Sequence, residues 1–162
     1  MTFKVPNQVI PSQIVSGGQT GVDRAALDAA LSLDWPCGGW CPKGRRAEDG
    51  PISAEYPVQE TDSKNYAHRT RWNVRDSDGT LILCSGPLTG GTSLTRKFAV
   101  EHEKPFLIVD LDQEPDATTV AEWIESNRIR VLNVAGPRES SVPGIQSLAT
   151  DFLRTLLLQC SG

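Results

Sequence analysis

Cysteine is sparse and unpatterned in this chain: Cys37, Cys41, Cys84 and Cys160 form neither a CxxC pair nor a spaced set of zinc ligands. Buried free thiols are therefore expected rather than a disulfide framework or a zinc centre. Histidine is scarcer still, and neither His68 nor His102 belongs to a ligand motif with cysteines or carboxylates, so no strong protein metal site is expected. Asp76 and Asp78 have the chemistry to hold Mg²⁺ through water, yet a turn entering a strand explains them equally well. No stretch approaches the roughly 20 apolar residues that span a bilayer, and the opening residues lack the basic start and apolar run of a secretory signal. These absences point to a cytoplasmic protein with no membrane contact. The net charge of −4 supplies no broad basic face for counterion displacement, so nucleic acid is not an expected partner. Also missing are GxGxxG after the first strand, GxxxxGK followed by Ser or Thr, and GxSxG, the signatures of the common dinucleotide, nucleoside-triphosphate and serine-hydrolase sites.

What is present suits one domain over residues 1–162, with 1–12 as an arm or lead-in: at 38% hydrophobic residues, a chain of 162 can build one core without staples. An apolar strand at 14–16 runs into a glycine turn and a helical pattern over 22–33. Thr20 and Asp23 have the spacing of a capping box for that helix. A second strand is expected at 37–40, followed by a long Gly- and Pro-rich loop to about 60 that carries Trp40 and Tyr56. Loops of that length in a compact domain are usually functional or disordered. Helix over 63–74, strand at 80–84, helix from Thr92 to about 102, strand at 106–110, helix over 117–127, strand at 131–134 and a helix through Ile145, Leu148, Ala149, Phe152, Leu153 and Leu156 follow. Near-continuous apolar strands alternating with amphipathic helices predict an α/β, Rossmann-like, doubly wound fold, with a mostly parallel sheet covered by helices on both faces.

In such a sheet right-handed crossovers bring all carboxyl ends of the strands to one edge, where ligands bind. Three glycine-marked loops should meet there: Gly17-Gly18-Gln19-Thr20-Gly21, Thr89-Gly90-Gly91-Thr92, and Ala135-Gly136-Pro137-Arg138-Glu139. Glycine lets backbone NH groups approach a ligand closely, and a helix start adds about half a positive charge, so phosphate is the natural guest. Arg24, Lys43, Arg45, Arg46 and Arg138 are the basic side chains near this edge. The expected ligand-binding set is Gly17, Gly18, Gln19, Thr20, Gly21, Asp23, Arg24, Lys43, Gly90, Gly91, Thr92, Gly136 and Arg138. No catalytic residue is assigned.

The run from Ser16 to Asp28, reading Ser-Gly-Gly-Gln-Thr-Gly-Val-Asp-Arg-Ala-Ala-Leu-Asp, resembles the opening signature of the putative molybdenum carrier family. Further blocks resemble it too: Gly39-Trp40-Cys41-Pro42-Lys43-Gly44-Arg45, Asp76-Ser77-Asp78-Gly79-Thr80, Gly90-Gly91-Thr92 and Asn133-Val134-Ala135-Gly136-Pro137-Arg138-Glu139-Ser140. The resemblance spans roughly residues 14–157. It implies a Rossmann-like fold, assembly as a homo-oligomer, and binding of molybdenum cofactor (molybdopterin) or a related phosphorylated ligand without transforming it. The broader superfamily includes lysine-decarboxylase-like nucleotide-binding phosphoribohydrolases, whose PGGxGTxxE motif carries a catalytic glutamate. Here Leu88-Thr89-Gly90-Gly91-Thr92-Ser93-Leu94-Thr95 lacks both the third glycine and the glutamate.

Two classes of function follow. One is a binding or carrier protein for a phosphorylated small ligand, with Trp40 or Tyr56 against a flat ring. The other is an enzyme or sensor acting on a nucleotide or glycosyl phosphate, with Asp23, Asp78 or Glu139 as acid or base.

Overall fold

The computed structural model describes residues 9–162; the expected arm lies, as far as residue 8, outside the described residues. Five strands form an all-parallel sheet in the order β2 (Cys37–Gly38), β1 (Gln13–Val15), β9 (Val131–Ala135), β7 (Gly79–Cys84), β8 (Phe106–Asp110). Strand β7, between β9 and β8, is buried along its whole length, as its near-continuous apolar sequence requires. Leu81 and Leu83 face a core shared with α1 (Val22–Ser32), α4 (Ala117–Ser126) and α5 (Ile145–Ser161). The opposite face carries α2 (Tyr66–Arg75) and α3 (Gly90–Glu101), joined through Val74, Phe98 and Ala99. The chain is thus a Rossmann-like α/β domain.

Small residues let α1 approach the sheet and α5: Ala25, Ala26, Ala29 and Ala30 are all fully buried. The start of α1 differs from the capping box expected of Thr20 and Asp23. Gly21 occupies the cap position and no side chain caps the helix. Both expected capping oxygens have charged partners instead, Thr20 Oγ1 on Glu48 and Asp23 Oδ2 on Arg69. The orphan amides at this helix start are met by Pro137 O, which accepts from Val22 N, and by Gln146 Oε1, which accepts from Gly21 N.

The second strand also departs from expectation. It leaves the main sheet at Gly39 (φ 126°), and Trp40–Cys41 becomes β3, pairing in parallel with β6 (Gln59–Glu60). The segment between them is ordered by an antiparallel pair, β4 (Arg46–Ala47) and β5 (Gly50–Pro51). A small core of Leu27, Cys41, Ile52 and Val58 sits beneath it. Arg45 holds this segment from within, donating to the carbonyls of Ile52, Ser53, Tyr56 and Val58 at 2.7–3.0 Å.

Connections from β1 and β9 pass to one face of the sheet and that from β7 to the other. A crevice therefore opens over the carboxyl ends of these three neighbouring strands.

Candidate functional site

A cavity of about 240 Å³ occupies that crevice. Gln19 and Asp23 reach it from the β1–α1 turn, Thr89 to Thr92 and Thr95 from the start of α3, and Ala135 to Arg138 with Ser141 from the β9–α5 connection. The three glycine-marked loops meet as the strand pattern predicts. A fourth contributor, Arg69 of α2, was not foreseen, because an arginine within Tyr-Ala-His-Arg-Thr-Arg-Trp reads as the solvent face of a helix.

The glycines divide by what surrounds them. A Cβ on Gly17 would run into the Arg69 guanidinium, so its absence is what admits Arg69 to the site. Gly18, Gly21 and Gly136 are closed over by Ile52, by the Pro137–Arg138 backbone, and by Leu83 O with Val22, and they serve close packing. Gly90 and Gly91 meet nothing: their faces are open at the cavity wall. Thr89, the cap residue of α3, makes no side-chain cap, so the amides of Gly90 and Gly91 have no acceptor among the described residues. That leaves unpaired donors and the positive end of a 12-residue helix at the wall.

Arg69 Nη1 donates to Asp23 Oδ2 at 2.8 Å, with 14% and 4% of the two side chains exposed. Burial pushes the Asp23 carboxyl above its ordinary range, and Arg69 and the Gln19 amide pull against that rise. Around the edge of the cavity, Arg46, Arg69 and Arg138 all place their guanidinium carbons 5.6–5.7 Å from the Tyr66 ring centroid. One aromatic ring thereby gathers three cations from three segments.

Gln19 is held in one orientation. Its Oε1 accepts from Thr20 N at 3.0 Å and Glu48 N at 2.8 Å, which leaves Nε2 as the free end. That atom and Arg69 Nε are buried and have no hydrogen-bond partner among the described residues. The Glu48 that orients Gln19 is latched in turn: its carboxylate accepts from Thr20 Oγ1, Ser140 Oγ and Ser140 N. These bonds hold its carboxyl below the usual range. The β4–β5 turn is thus strapped across the loops, with Asp49 gripping Arg24 at 2.9 Å as a second fastening.

The remaining expected site residues fall elsewhere. Arg24 is buried and spends its guanidinium on Gly18 O and Asp49, and Thr20 is spent on Glu48 and Glu139 N. Lys43 is exposed and does not line the cavity. Neither aromatic offered for a flat ring reaches it. Trp40 donates Nε1 to Asp76 and stacks edge-on against Trp72, while the Tyr56 hydroxyl donates to Asp28 at 2.6 Å. Tyr66 is the ring beside the cavity. Of the three candidate acids only Asp23 lines it. Asp78 accepts from the Arg130 and Val131 amides, and Glu139 accepts from those of Gly144 and Gln146 at the start of α5. Thr95, where the hydrolase motif would carry glutamate, lines the cavity and donates its hydroxyl to Gly91 O. Among the described residues no group of three or more His, Cys, Asp or Glu is placed to hold a metal ion. No described helix is long and apolar enough to cross a membrane.

Sheet order, strand-end crevice and arginine-lined cavity together define a Rossmann-like domain with a cationic pocket at its switch point. The chain belongs to the circularly permutated YpsA SLOG family, whose profile matches residues 14–157. It is 47% identical to the crystal structure of "Putative molybdenum carrier protein" from Syntrophus aciditrophicus SB, with a TM-score of 0.86 over 90% of this chain and 94% of that one. Among curated proteins none matches.

Proposed function

We propose that this protein binds or carries a phosphorylated small ligand, with the anionic group seated in the cavity among Gln19, Arg69, Gly90, Gly91, Thr92 and Arg138. The observation that carries the reading is the meeting of two unpartnered buried donors, Gln19 Nε2 and Arg69 Nε, with the open α3 start in one crevice. Such donors cost stability in the free protein and are satisfied by an oxyanion. The Arg138 guanidinium adds charge at the cavity wall, and Tyr66 offers a ring beside it.

The similarity to a molybdenum carrier supports molybdenum cofactor, a phosphorylated pterin, as the cargo; a nucleotide has the same anionic handle. Binding without turnover fits a wall whose single carboxylate, Asp23, is already paired with Arg69. We take the protein to act in the cytoplasm as a homo-oligomer.

The test is native mass spectrometry of gently purified protein, followed by release and identification of the retained ligand, on the wild type and on Gly91→Val. A Cβ at position 91 meets no protein atom, so the variant should fold while its side chain fills the space an oxyanion needs. An intact phosphorylated ligand on the wild type and none on the variant is the expected result. Undiminished ligand on Gly91→Val would remove the site from this cavity, and recovery of a cleaved nucleotide would replace the carrier with an enzyme.

A further inference from the structure

We propose that Asp23 makes the cavity selective for a phosphoryl group that carries a hydrogen of its own, and against fully ionised tetrahedral oxyanions such as sulfate and molybdate. The inference rests on the anion-binding reading above and adds to it the chemical form of the anion.

Guanidinium groups, helix-start amides and a carboxamide NH₂ all donate, so they accept any oxyanion of the right size and charge and do not distinguish phosphate from sulfate. Asp23 is different: it is the single acidic side chain lining the cavity and is 3% exposed. Its Oδ2 is spoken for, accepting from Arg69 Nη1 at 2.8 Å and from Gln19 N at 3.4 Å. Its Oδ1 accepts no hydrogen bond among the described residues. Asp23 lines the same cavity as Gly90, Gly91 and Arg138, so an anion seated among those groups is a neighbour of its carboxylate. If the nearest ligand oxygen is ionised, it meets Oδ1 acceptor to acceptor in a buried setting, which is repulsive and leaves both desolvated. If that oxygen carries a hydrogen, it donates to Oδ1 and satisfies both. A phosphate monoester is therefore taken as its monoanion and inorganic phosphate as the hydrogen-bearing dianion.

Isothermal titration at about pH 7.5, where inorganic phosphate retains a hydrogen and sulfate has none, compares the two anions on the whole protein at matched ionic strength. Wild-type protein is expected to bind phosphate at least about 100-fold more tightly than sulfate, a lower bound where sites built for a hydrogen-bond donor reject analogues lacking it by up to about 10⁴–10⁵-fold. Asp23→Asn is nearly isosteric, and its carboxamide can turn NH₂ toward the cavity. The ratio should then shrink to within about tenfold, chiefly through tighter sulfate binding. Equal binding of the two anions by the wild type, or an unchanged ratio in Asp23→Asn, overturns the selectivity while leaving the anion site standing. Failure of both anions to bind the wild type overturns the anion reading and this proposal together. Equal binding by the wild type decides against the proposal without the variant.

Discussion

Arg69 reaches Asp23, 46 positions away in sequence, through a gap that exists only because residue 17 has no side chain. Strand β1 delivers Asp23 to the carboxyl edge by way of the turn, α2 delivers Arg69 from the other face, and Gly17 is the passage between them. The cavity's acid and one of its bases thus hold each other in place before any ligand arrives.

Gly17→Ala should close that passage. The added methyl overlaps the guanidinium, so either Arg69 is expelled or the β1–α1 turn shifts, and overpacking of this kind costs about 1–3 kcal/mol. Urea denaturation should show the loss together with weakened phosphate binding. Gly91→Ala, at a position with empty space around it, should denature like the wild type. Equal stability of both variants with the wild type would mean that Arg69 does not depend on the gap.

Arg69→Met should be costlier, because it strands a buried carboxylate. Breaking such a pair by removing one partner typically costs about 3–5 kcal/mol. The pH dependence gives the cause away. Burial already raises Asp23 above 3.8, and loss of Arg69 raises it further. A raised carboxyl makes the native state hold more protons than the unfolded state, so stability falls as pH rises from 3.8 through the folded value. The deficit of Arg69→Met should therefore shrink on acidification, and the double variant with Asp23→Asn should recover much of it at neutral pH. A deficit independent of pH would point to lost packing instead.

Most of the architecture was legible because it rests on local signals. Apolar strands such as 80–84 have no alternative to burial between two helical layers, and glycine after a strand marks its carboxyl end. That put all three loops at one edge correctly. What was not legible depended on long-range pairing. Arg69 looks like any helix-surface arginine until Gly17 is placed beside it, and the Thr20–Asp23 spacing reads as a capping box until Glu48 and Arg69 take both oxygens. The strand change at Gly39 and the loss of Arg24, Trp40 and Tyr56 from the site have the same origin: each follows from how the 35–60 segment lies against α1 and α2, which no periodicity encodes.

Arg45 offers a test of that segment. Its guanidinium gives four hydrogen bonds to the carbonyls of Ile52, Ser53, Tyr56 and Val58, so it substitutes for the regular pairing that the segment largely lacks. Arg45→Met should remove the side-chain donor from the Ile52 and Val58 carbonyls, while those of Ser53 and Tyr56 keep their backbone donors, and loosen the loop locally, at about 1–3 kcal/mol. Limited proteolysis between residues 44 and 58 should accelerate well before global unfolding. Arg45→Lys should rescue only in part, since a single ammonium cannot replace the planar fork. Unchanged protection in Arg45→Met would show that the small core beneath is sufficient alone.

Glu139 ties the β9–α5 connection to the start of α5, and acid should undo the tie. Its carboxylate accepts from Gly144 N at 2.6 Å and Gln146 N at 3.0 Å, and these amides hold its carboxyl below the ordinary 4.5. A lowered carboxyl contributes stability that is fully present above 4.5 and is lost as pH falls from there through the folded value. Glu139→Gln accepts less well and carries no charge for the positive end of α5, so its melting temperature should lie below that of the wild type at neutral pH. The gap should close on acidification, because the wild type loses the same interaction by protonation. Thermal melts of both proteins across this range measure it directly. A gap that persists below the folded value of Glu139 would assign the effect to shape rather than charge, and would detach Glu139 from the electrostatics of the helix start.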